Sequence, residues 1–164
     1  MFGKSKKIKN RIELISIHIP KTAGTSFRNI LKNAFGEERV VRLDIDGNPK
    51  TVKVENEVFD RPRLPDNVRV IHGHFKYTDL NRFFKIDEHT PVITWLRDPV
   101  QRVVSNYFYL SKRLKEELDE EAKGLNILAK MQKNLLEYAR TEMNRNRMSK
   151  FLVGLEIEKL AFIG

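Results

Sequence analysis

Ile12-Glu13-Leu14-Ile15-Ser16-Ile17-His18-Ile19-Pro20-Lys21-Thr22-Ala23-Gly24-Thr25-Ser26-Phe27 changes character at Pro20. Before the proline the run is short and rich in β-branched residues, the pattern of a buried strand. After it come a lysine, small hydroxyl residues and a glycine, and then Phe27, Ile30, Leu31, Ala34 and Phe35 recur at helical spacing, with Gly36 as a stop. A strand, a tight loop and a helix N-terminus make an anion site, because unpaired backbone N–H groups and the positive end of the helix dipole point at one place. Gly24 lets the backbone approach a phosphate, Thr25 and Ser26 supply hydroxyl donors, and Lys21 supplies a mobile positive charge. No Gly-Lys-Ser/Thr follows four residues after a first glycine, so the loop departs from the Walker A pattern of NTPases. The plain structural alternative is a capped βα turn with an incidental lysine.

The same strand-then-loop pattern returns twice. Val68 to His72 is a second buried-strand candidate, running into His72-Gly73-His74, and Pro91 to Leu96 is a third, running into Arg97-Asp98-Pro99. Asp98 is suited to cap the next helix, with Pro99 at its first position and Val100, Val103, Val104, Tyr107 and Phe108 on one face. Asp44 to Arg63 is polar, carries the turn Asp46-Gly47-Asn48-Pro49 and alternates weakly at Val52, Val54 and Val58, which reads as a hairpin or a surface excursion. Lys112 to Lys123 is a charged helix end or connector. A further helix is expected from about Leu125 to Met143, with Leu128, Met131, Leu135, Leu136 and Ala139 inward, and a last one from near Met148. Strands that alternate with helices predict an α/β fold with a mainly parallel sheet.

A chain of 164 residues suits one domain, here residues 12–164 after a basic, flexible tail at 1–11. With 40% apolar and 32% charged residues it reads as globular and soluble rather than disordered. The absence of cysteine excludes disulfides, thiolate metal sites and a cysteine nucleophile. No apolar stretch reaches the roughly 18 residues of a membrane span and no signal core opens the chain, so the expected location is soluble and cytoplasmic, without membrane insertion. A net charge of +9 favours an anionic partner. Charge alone leaves a nucleic acid, an anionic glycan, a nucleotide and a membrane surface open, although no interleaved aromatic and basic motif supports a nucleic acid.

His18 to Phe27 resembles the 5′-phosphosulfate loop of the carbohydrate sulfotransferases that use PAPS (3′-phosphoadenosine 5′-phosphosulfate), and Arg97 to Tyr107 resembles their 3′-phosphate motif. His72-Gly73-His74 is similar to the histidine pair of the uronyl and heparan sulfate 2-O-sulfotransferase branch. Asn146 to Gly154 is similar to another family segment, Asn-x-Met-Thr/Ser-Arg/Lys-x-Leu-x-Gly. The resemblance implies a P-loop-like three-layer α/β fold, with a mainly parallel central sheet flanked by helices. It implies that Lys21, Thr22, Ala23, Gly24, Thr25 and Ser26 bind the phosphosulfate, and that Arg97 and Ser105 bind the 3′-phosphate. His74 would then be the general base for the acceptor hydroxyl, His72 would orient it or the acceptor, and Lys21 would neutralise charge on the leaving phosphate. The implied reaction moves a sulfuryl group from PAPS to a hydroxyl of a saccharide or glycan, an anionic one suiting the charge. It releases adenosine 3′,5′-bisphosphate and needs no metal. Family members usually continue past the counterpart of Gly164, so a shortened C-terminus is expected. That makes an inactive nucleotide- or polyanion-binding relative the alternative reading. His18 reads as packing beside the loop, and His89 as surface.

Overall fold

The computed structural model describes residues 12–46, 51–59, 64–84, 86–116 and 134–153. The chain gathers into two compact units: one runs to Ile19 and takes in Ala23–Trp95, and the other takes in Pro20–Thr22 and the chain from Leu96 onward. The expected tail at 1–11 and the expected helical stretch at 125–133 lie outside the described residues.

The first unit is an α/β layer built on a six-stranded sheet. In chain order the strands are β1 (Leu14–Ile17), β2 (Val40–Asp46), β3 (Thr51–Val54), β4 (Glu57–Phe59), β5 (Val70–Gly73) and β6 (Val92–Thr94). Their order across the sheet is β4-β3-β2-β5-β1-β6. β2, β5, β1 and β6 run parallel, while β3 and β4 return antiparallel beside β2. β1 is buried at Ile15, Ser16 and Ile17 alike, so both of its faces are covered and its sequence shows no alternation with exposed polar residues. Burying one such isoleucine contributes about 1.5–3 kcal/mol over leaving it exposed. The register sets Ile17 opposite both Gly73 and Thr94, so three parallel strands end level with one another.

α1 (Gly24–Phe35) packs on this sheet, with Leu31 buried against Val40 and Val70, and Phe27 and Phe35 half-buried beside them. It stops where Gly36 adopts φ 98° and its N–H bonds the Lys32 carbonyl, a conformation that suits glycine. The hairpin is β3 and β4, joined by Glu55 and Asn56, which both carry positive φ as a tight hairpin turn requires. β2 itself, the strand that joins this hairpin to the parallel part of the sheet, is not among the strands that the sequence pattern predicts. Its buried Asp44 sits among Leu43 and Ile45 and made the segment look like surface. A short helix, α2 (Tyr77–Phe83), was also not anticipated.

In the second unit α3 (Pro99–Glu116) begins as its sequence predicts, with Asp98 Oδ1 accepting the Gln101 backbone N–H at 2.9 Å. α4 (Leu135–Arg140) carries a capping box between Asn134 and Glu137, and α5 (Arg147–Val153) follows. The inward stripes differ from expectation. Val100 and Phe108 are 70% and 61% exposed, while Arg102 is 2% exposed. On α4 it is Tyr138 rather than Leu136 that is buried. Polar side chains take these places because they find partners: Arg102 donates to the Asn144 carbonyl, and the Tyr138 hydroxyl receives Asn106 Nδ2 at 2.6 Å.

Candidate functional site

In the first unit residues at the ends of β1 and β5 form a cluster of stacked histidines. The His18 ring stacks on both of the others, 4.3 Å from the His74 ring at 29° and 5.2 Å from the His72 ring at 22°. His18 is tied into the sheet through its backbone N–H, which donates to the Gly73 carbonyl at 2.7 Å. It therefore packs beside the loop as its sequence suggests, and it also reaches both members of the histidine pair. Among the described residues no group of three or more His, Asp or Glu side chains could hold a metal ion.

His72 is 2% exposed, and its Nδ1 meets Ser16 Oγ at 2.9 Å across the β1–β5 pair. Burial pushes its pKa down to about 4, helped by the positive charges of Arg28, His74 and Arg42. Burial likewise pushes His18 down to about 3, with His74, His72 and Arg42 adding to the effect. Both rings are neutral near pH 7. His74 stands further out and carries a partner that sequence reasoning missed. Asp44 Oδ1 accepts the His74 backbone N–H at 3.0 Å and lies 2.9 Å from His74 Nδ1, while Asp44 Oδ2 accepts Arg42 Nε at 2.8 Å. Burial alone would raise the Asp44 pKa. The hydrogen bonds from His74 and the charges of His74 and Arg42 outweigh it and hold the carboxyl at about 2.

Two glycines hold this cluster close. A Cβ on Gly24 would sit 2.0 Å from the His18 ring, and one on Gly73 would sit 1.7 Å from the Leu43 carbonyl oxygen. The glycine of His72-Gly73-His74 therefore answers to the β2 backbone.

The N-terminus of α1 starts from Ala23 at φ 68°, makes no side-chain capping bond and has no acidic residue in its first turn. Thr25 and Ser26 expose their hydroxyls there. This end suits an anion. Lys21 also holds a positive φ, 72°, so two non-glycine residues of the loop adopt a conformation that L-residues rarely take. In the second unit the leading residues of the two motifs meet: Arg97 Nη1 donates to the Lys21 carbonyl at 3.4 Å. Lys21 Nζ lies 4.0 Å from the centre of the Tyr109 ring, and its pKa is lowered by burial and then by the Arg97 charge. Arg97 is exposed, Thr22 is buried and Ser105 is half-buried in the second turn of α3. His89 is exposed, as its sequence setting suggests.

The mainly parallel sheet flanked by helices, with an uncapped helix after its first strand, defines an α/β protein of P-loop-like architecture. Residues 6–154 match the model of the sulfotransferase family, and the chain belongs to that family. It is similar to heparan sulfate 2-O-sulfotransferase 1 of Cricetulus griseus, 29% identical over 109 residues, which cover 60% of this chain and 29% of that protein. The Mus musculus protein of the same name gives the same figures. The Homo sapiens one is 28% identical over 107 residues, covering 59% of this chain and 29% of its own length. The matched region thus spans under a third of these curated relatives. No solved structure matches the chain. No described helix is long and apolar enough to cross a membrane.

Proposed function

We propose that this chain transfers a sulfuryl group from PAPS to a hydroxyl of a saccharide, with an acidic glycosaminoglycan as the acceptor class. Family membership and the likeness to 2-O-sulfotransferases support the reaction type. The observation that carries the donor is the contact between the two motif heads, Arg97 and Lys21, which are 76 residues apart in the chain. Two cations beside each other, with no carboxylate pairing with either among the described residues, are stabilised when a polyanion arrives. In this reading Lys21 to Ser26 hold the 5′-phosphosulfate, and Arg97 and Ser105 hold the 3′-phosphate. The acceptor oxygen forms a bond to sulfur as the bond between sulfur and the bridging phosphate oxygen breaks, and adenosine 3′,5′-bisphosphate leaves. Lys21 neutralises the charge growing on that bridging oxygen. His74 takes the hydroxyl proton, which requires a neutral imidazole. His72 is buried and engaged with Ser16, which suits a supporting role.

Titration with adenosine 3′,5′-bisphosphate, followed by transfer from PAPS to a panel of glycosaminoglycans, tests this. Saturable binding with transfer to at least one uronic-acid-containing glycan is expected. Binding without transfer would identify a nucleotide-binding relative that has lost catalysis, and equal preference for ATP would remove the donor assignment.

A further inference from the structure

We infer that Asp44, locked by Arg42, is a positioning residue that fixes His74 with its proton on Nδ1 and so presents Nε2 as the basic nitrogen. This deepens the proposed reaction, since it rests on His74 being its base. Both carboxylate oxygens of Asp44 are committed. Oδ2 takes Arg42 Nε at 2.8 Å, and Oδ1 takes the backbone N–H of His74 and faces its Nδ1 at 2.9 Å. A carboxylate has no proton to offer, so a 2.9 Å contact with Nδ1 is a hydrogen bond only if Nδ1 carries the hydrogen. The Asp44 carboxyl, held at about 2, stays ionised through the range in which a histidine works as a base. A neutral imidazole with Nδ1–H has its lone pair on Nε2.

The rest of the shell supports the same geometry. Arg42 is held by its own backbone N–H, which donates to Glu55 Oε1 at 2.6 Å, and Glu55 is gripped by Arg28 Nη2 on both oxygens at 2.7 and 2.8 Å. The His18 ring stacks at 4.3 Å and restricts rotation of His74 from its face. The titratable and charged groups around His74 are thus Asp44 and Arg42 on β2, His72 on β5 and His18 beyond β1. The two flanking histidines are depressed well below neutrality, so they are neutral where Asp44 is ionised. A carboxylate behind a histidine base is a recurring device, and in one serine protease replacing it by an amide leaves the wrong tautomer and lowers turnover about 10⁴-fold.

The test is a two-bond ¹H–¹⁵N correlation spectrum of the histidine side chains of the full chain, at a pH where His74 is neutral, with His74 assigned by loss of its signals in His74→Ala. Wild type should give the Nδ1–H tautomer, and Asp44→Ala should shift His74 toward Nε2–H. Transfer by Asp44→Ala should fall at least 100-fold while affinity for adenosine 3′,5′-bisphosphate changes less than threefold. Nε2–H in the wild type, or an unchanged tautomer in Asp44→Ala, would overturn the inference. The wild-type spectrum decides by itself should the variant fail to fold. It also separates this inference from the proposed reaction: a wild-type chain showing Nδ1–H on His74 but no transfer would count against the reaction and leave the positioning role standing.

Discussion

The histidine cluster and the Lys21–Arg97 pair handle charge in opposite ways. Around His74 the acceptors and donors that hold the ring come from the protein: Asp44 answers both Arg42 and His74, Ser16 answers His72, and the rings lie against one another. Around Lys21 the neighbours are a second cation, Arg97, which donates to the Lys21 carbonyl, and the Tyr109 ring, and among the described residues no carboxylate pairs with Lys21 or Arg97. A group that must be a neutral, oriented base gains from being fixed beforehand. A group that must receive a polyanion gains from having no internal counterion to displace. In the proposed reaction one region handles the proton and the other binds the donor.

Removing the cation from the open region should have a large effect. Lys21→Ala is expected to lower transfer about 10²- to 10³-fold, the scale for loss of one donor to a developing oxyanion. Binding of adenosine 3′,5′-bisphosphate should change little, because that product lacks the sulfate and the charge building on the bridging oxygen. Equal losses in rate and product affinity would reduce Lys21 to a binding contact and blur the contrast. Next in size is Gly73→Ala, which pushes a methyl into the Leu43 carbonyl oxygen. Overpacking of this kind costs about 1–3 kcal/mol, so the urea midpoint should fall. An unchanged midpoint would mean that the β2 backbone yields, and that the closed cluster is looser than its hydrogen bonds suggest.

The last expected effect is on acid stability, and it belongs to the closed region. His18 and His72 are depressed to about 3 and about 4 from an ordinary 6.5, so the unfolded chain binds protons that the folded chain refuses. The stability they contribute is complete above pH 6.5 and is lost progressively as pH falls from there toward their folded values. Asp44, depressed to about 2 from 3.8, adds a loss confined to pH below 3.8. Urea midpoints at pH 7.5 and 5 should therefore differ, with the acid sample weaker and the difference reduced in His72→Asn. A flat profile would show that the histidines are not desolvated as the fold implies.

Much of the parallel part of the sheet was legible because β1 and β5 are short apolar runs that lead straight into distinctive loops. β2 was not, because Asp44 breaks its apolar pattern, and the reason for that carboxylate lies 30 residues away. Only the parallel register that sets Arg42 opposite His72 brings Asp44 level with His74. No spacing within one sequence announces a partnership across two strands. Gly73 was legible as a motif but not for its cause, since its neighbour is the backbone of the unread strand. The loop residues Lys21 to Ser26 and the Asp98 cap were accessible because strand, loop and helix are contiguous in the chain and their chemistry is local.

The division of labour is tested most directly by measuring bisphosphate affinity and single-turnover transfer side by side in Arg97→Ala and His74→Ala. Arg97→Ala should lose about 10- to 100-fold in affinity for adenosine 3′,5′-bisphosphate, the scale of a lost charge-assisted bond, and almost nothing for a nucleotide without the 3′-phosphate. His74→Ala should keep its affinity and lose about 10²- to 10⁴-fold in transfer at saturating donor. Near wild-type transfer by His74→Ala, or a parallel loss of affinity and rate in both variants, would contradict it.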